Sequence, residues 1–79
     1  MLRPKYRIGD DVYIRQVVDD VGGEPILEVT REKVVTVYYK DGTFFYKITG
    51  WVGHWEEISL HETLESALED ADVLLKVSK

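Results

Sequence analysis

Cysteine is absent from this 79-residue chain. No disulfide can staple the fold, no thiolate can hold a metal, and no thiol nucleophile is available. The absence fits a reducing compartment. Proline occurs only as Pro4 and Pro25. Pro4 discourages an early helix, and Pro25, lacking an N–H, belongs at a strand start or edge. No apolar run approaches the roughly 20 residues that cross a bilayer. The opening MLRPKYRIGDD has no apolar signal core. These absences predict a soluble, cytoplasmic protein without membrane contact. A Walker A loop and a Rossmann fingerprint are also missing. The two histidines, His54 and His61, lie near Glu56, Glu57 and Glu62 at spacings that match no metal motif, and they read as exposed structural residues. Asp19-Asp20 with Gly22-Gly23 and Glu24 offers calcium-ligand types at the wrong spacing. No catalytic residue, metal ligand or cofactor is assigned.

What remains is a small apolar core and its decoration. A chain this short buries a modest fraction of its surface and has one domain's worth of residues. Its hydrophobic content is 44%, with two tryptophans, five tyrosines and two phenylalanines, which argues against disorder. The net charge is −5, unevenly placed. Arg3, Lys5, Arg7 and Arg15 make the beginning basic, against Asp10 and Asp11. From Glu56 to Asp72 there are seven carboxylates and no lysine or arginine. An acidic balance disfavours phosphate-driven nucleic-acid binding.

The run Val34–Thr49 carries the clearest pattern. Asp41-Gly42 suits a two-residue type I′ turn, which needs positive φ at both positions. That turn pairs Tyr39 with Phe44, Val37 with Tyr46 and Val35 with Ile48, all apolar and on one face. Tyr38/Phe45, Thr36/Lys47 and Val34/Thr49 take the other face. A one-residue slip would mix the two sets, so turn and pattern specify one register.

Residues 1–6 read as a loosely held arm, and 7–58 as the β-barrel. Asp11–Val18 alternates as a half-buried strand, and Ile26–Thr30 is a second. Arg31-Glu32-Lys33 is either a polar corner or a bend in one long strand. Gly50-Trp51-Val52-Gly53 breaks the pattern before a short strand from Trp55. The last twenty residues change period. Leu64, Ala67, Leu68, Ala71, Leu74 and Leu75 form one helical stripe, predicting a helix over 62–77 that packs by Leu64, Leu68, Ala71 and Leu75. Thr63 is the best N-cap, with Ser59/Glu62 as a competing capping box. Lys76 and Lys79 suit the carboxyl end.

Tyr6-Arg7-Ile8-Gly9-Asp10-Asp11-Val12-Tyr13 resembles the opening of many SH3-like barrels. In the tail, Leu60, Thr63, Glu65 and Ala67 match a phrase common in small uncharacterised SH3-like barrel proteins of bacteria and phages; Ser66 departs from it. The two phrases cover about a quarter of the chain. The resemblance implies a bent antiparallel barrel of four or five strands plus one C-terminal α-helix. It leaves the activity open, because no aromatic cage or proline-ligand groove maps residue by residue.

The expected fold is thus mainly β, one domain over 1–79. Tyr38 and Phe45 must face away from Tyr39, Phe44 and Tyr46. With Trp51 or Trp55 they form either a binding surface or a patch covered by the helix or by barrel closure. The expected function is a non-catalytic protein-interaction module of unknown partner, self-association included. The alternative is nucleic-acid binding through the basic N-terminal strand and the exposed aromatics.

Overall fold

Turn chemistry and alternation build the centre of the molecule as the sequence predicts. In the computed structural model, which describes residues 2–77, Asp41 and Gly42 have φ of 51° and 82°, the positive pair a type I′ turn needs. They join β2 (Pro25–Lys40) to β3 (Thr43–Ile48). With β1 (Asp11–Asp19) and the two-residue β4 (Trp55–Glu56), these strands form one antiparallel sheet in the order β1-β2-β3-β4. The sheet curls into a half-barrel, and a bent helix follows at the C-terminus.

The polar stretch Arg31-Glu32-Lys33 lies within a continuous strand. β2 pairs with β1 up to Asp11↔Lys33 and with β3 from Val34 onward. At the changeover Gly9 donates to the Val34 carbonyl (2.8 Å) and Val34 donates to the Asp10 carbonyl (2.9 Å). Asp11 binds Arg31 at 2.6 Å and Lys33 at 3.0 Å, which lowers its pKa mainly through the Arg31 hydrogen bond.

The register is Tyr39↔Phe44, Tyr38↔Phe45, Val37↔Tyr46 and Thr36↔Lys47, as the turn dictates. Beyond Thr36 it departs from expectation. A bulge leaves Val35 unpaired, so Val34, not Val35, stands opposite Ile48. One extra residue inverts the side-chain parity. Val34 is 1% exposed and Val35 46%. The bulge lets a strand already committed to Val37/Tyr46 also bury Val34 against Ile48.

The core joins Val12, Ile14, Val34, Tyr46, Ile48 and Leu60 with Tyr6. Tyr6 corrects the expectation of a loose arm. It is 2% exposed, and its hydroxyl donates to the Leu60 carbonyl at 3.1 Å. The Tyr46 hydroxyl accepts from the Tyr6 N–H at 3.3 Å and donates to Glu57 at 2.6 Å, while the Lys5 N–H reaches the same Glu57 oxygen at 2.7 Å. The arm is therefore pinned by a polar network at the edge of the core.

The helix is bent into α1 (Leu64–Leu68) and α2 (Ala71–Val77). Thr63 is its N-cap, accepting from Ser66 N–H at 3.0 Å, and Ser59 plays no such part. The bend falls at Glu69–Asp70, where Asp70 has φ of 59°. Arg15 donates to the carbonyls of Ala67 (3.1 Å) and Glu69 (2.6 Å), replacing partners that a continuing helix would have supplied. The expected packing by Leu64 and Leu68 is corrected: they are 49% and 45% exposed, and Ala67 is the buried residue of α1. At about 100° per residue both leucines lie to one side of Ala67, off the contact line. In α2, Ala71, Leu74 and Leu75 are half buried, and α2 rests on β2. Lys79 lies outside the described residues.

Candidate functional site

The hairpin sets the site. With Lys40 and Thr43 flanking a two-residue turn, Tyr38 and Phe45 point to one face and Tyr39, Phe44 and Tyr46 to the other. Tyr46 is fully buried; Phe44 packs against the core and meets the Tyr39 ring at 5.0 Å. Tyr38 is 37% exposed, and Phe45 is half buried.

Trp51 and Trp55 belong elsewhere. Trp55 pairs with Tyr46, so it shares the core face. Its ring meets Trp51 edge-on at 5.3 Å, and both pack against the core. The structure therefore brings Tyr38 and Phe45 together and does not bring either tryptophan to them.

The aromatic neighbour of Tyr38 is His54, with ring centroids 4.5 Å apart. The loop from Gly50 to Gly53, both with positive φ, turns the chain back so that His54 reaches over the sheet. Sequence reasoning missed this partner. The glycine-flanked loop marked a turn, but nothing in it specified which face the histidine would meet.

Tyr38, Tyr39, Lys40, Phe45 and His54 line a surface cleft of about 470 Å³. Lys40 and Lys47 share the Tyr38 face, because Thr36↔Lys47 and Lys40↔Thr43 flank Tyr38↔Phe45. Glu56, opposite Phe45, adds one carboxylate. The helix leaves this face uncovered. It packs on β1 and on the beginning of β2, held by Arg15 and bordering Pro25. The helix-cover alternative therefore fails on position.

The other candidate groups are engaged in structure. Asp20 accepts from the amides of Gly22 (2.8 Å) and Glu24 (2.9 Å), closing its own loop. His61 is half buried, with Nδ1 3.0 Å from the Ser66 hydroxyl; burial, then the Arg15 charge, lowers its pKa. Burial raises Tyr6 to about 12, helped by the charges of Glu62 and Glu57. Burial also raises Tyr46 to about 12, followed by its hydrogen bond to Glu57. Among the described residues no group of three or more His, Asp or Glu side chains gathers to hold a metal.

No known protein family, curated protein or solved structure matches this chain.

Proposed function

We propose that this chain is a non-catalytic protein-interaction module, akin to the small SH3-like barrel proteins its opening and tail resemble. Its working surface is the Tyr38–Phe45 face. One observation carries the reading: the helix, the only element among the described residues large enough to cover those rings, lies over the β1–β2 end instead. Rigid aromatics anchor interfaces at low entropic cost. Trp51 and Trp55 act as the floor of the core, beneath this surface rather than in it.

Nucleic-acid binding through the N-terminal strand has less support. Arg15 is engaged by helix carbonyls, and Arg31 and Lys33 on the neighbouring strand are engaged by Asp11. The remaining balance is acidic.

The test is Tyr38→Ser with Phe45→Ser. The variant keeps the β-sheet circular dichroism and a cooperative melt, and loses partner capture or self-association. Unfolding of the variant would show that the pair is core and would sink the surface. Capture that weakens steeply with salt and is competed by nucleic acid would favour the alternative.

A further inference from the structure

The Tyr38 face borders an open strand edge. β2 pairs with β1 only as far as Lys33, and its second half pairs with β3 on the opposite side. Val34 closes the outer edge against Gly9 and Asp10. From Val35 to Lys40, no segment among the described residues pairs with that edge.

The hairpin geometry says which groups are free. Next to a two-residue type I′ turn, Lys40 and Thr43 form a hydrogen-bonded pair. The pattern alternates, so Tyr38 bonds Phe45, and the N–H and C=O of Val37 and Tyr39 point outward. Natural edges are protected by proline, bulges, inward charges or short length. Here the bulge lies at Val35, at the very start of the open stretch, and the stretch holds no proline and one charge, Lys40.

The cleft lies on that same stretch. Three consecutive residues, Tyr38, Tyr39 and Lys40, line it together with Phe45 and His54. Alternate side chains of a strand point to opposite faces. A cleft touching three in a row therefore has main chain as well as side chains on its wall.

The charge selects the occupant. On this face Lys40 and Lys47 are exposed and make no ion pair among the described residues, in a protein whose net charge is −5. A second copy would bring two more lysines to the face and only its own Glu56 to meet them.

Resting on the interaction-module reading above, we infer that the partner is an extended acidic peptide that adds as a fifth strand along Val37–Lys40. Its main chain pairs with Val37 and Tyr39. One apolar side chain enters the cleft between Tyr38, Phe45 and His54, and carboxylates at alternate positions meet Lys40 and Lys47. Strand addition of this kind draws affinity from main-chain hydrogen bonds and specificity from alternate side chains.

The experiment selects peptides from a random decapeptide display library on the purified full chain, then synthesises the enriched sequences as probes. The expected probes carry an apolar residue with aspartate or glutamate two positions to either side, so that all three side chains share one face of the added strand. Lys40→Glu with Lys47→Glu weakens them by about tenfold or more at low salt, with the melt unchanged. Binding slows amide hydrogen exchange at Val37 and Tyr39. Probes that bind without slowing those two amides overturn strand addition, and probes without acidic bias overturn the acidic partner. Either result leaves the Tyr38–Phe45 surface standing if Tyr38→Ser with Phe45→Ser still abolishes binding. Probes indifferent to that double substitution overturn both readings. A library with no enriched sequence overturns the peptide. So does a concentration-dependent dimer lost in the double variant, or salt-sensitive binding of a single-stranded oligonucleotide, and both of these keep the surface with a different occupant.

Discussion

Replacing Tyr46 by phenylalanine keeps the buried ring and removes one oxygen. That hydroxyl donates to Glu57 at 2.6 Å and accepts from the Tyr6 amide at 3.3 Å. The first is short and charge-assisted; such bonds contribute about 1.5–3 kcal/mol. The second is long, so its loss adds less. A total of about 2–3 kcal/mol is large against the roughly 4–12 kcal/mol expected for a domain of this size. At about 4–8 °C per kcal/mol, the melting midpoint falls by roughly 8–24 °C. The assay is thermal and urea unfolding followed by circular dichroism. Tyr39→Phe, on a ring 53% exposed, is the control and shifts stability by less than about 0.5 kcal/mol. Alkaline pH gives the same network a second readout. Both Tyr6 and Tyr46 are raised from 10.0 to about 12, so the folded state keeps protons that the unfolded chain has released. Their contribution is full below pH 10 and is lost as pH rises through the window to about 12. Tyr46→Phe removes one of the two titrating groups and makes that loss shallower. A Tyr46→Phe melt within about 0.5 kcal/mol of wild type would refute the network as a structural pin.

Ala67, fully buried, tolerates no larger side chain: Ala67→Leu costs about 1–3 kcal/mol by urea unfolding, whereas Leu68→Ala, at a half-exposed position, costs less than about 1 kcal/mol. Thr63→Ala removes the cap on Ser66 and costs about 1 kcal/mol, with a loss of helical signal in far-ultraviolet dichroism. Proton Overhauser contacts link Val37 with Tyr46 and Val34 with Ile48; a Val35–Ile48 contact would abolish the bulge.

The parts of this fold legible in the sequence are those with a local cause. Asp41-Gly42 demands its turn, and the turn determines the facing pairs for the next several residues. Thr63 caps because its hydroxyl is three residues from the amide it accepts from. The bulge was not legible, because Val34 and Val35 are identical side chains and alternation cannot say which one the core will take. The pinned arm was not legible either: Tyr6 meets its partners 40 and 54 positions away. The helix bend has a similar origin. An apolar stripe at helical spacing survives a break intact, and the guanidinium that accommodates this break arrives from Arg15, across more than fifty residues of chain.

The placement of that helix decides the functional reading. A stripe of leucines and an outward pair of aromatics suggest from sequence alone that one covers the other. Two features prevent it. Arg15 seats α1 beside β1, and β2 passes at Lys33–Val34 from pairing with β1 to pairing with β3. The helix can then follow only the first half of β2. Parity does the rest: Trp55 pairs with Tyr46 and so joins the core, which leaves Tyr38 and Phe45 with His54 on the far face. The outward-facing aromatics and the open edge of β2 have the same cause. A single long strand serves two partners in succession, and among the described residues its second half pairs on one side only.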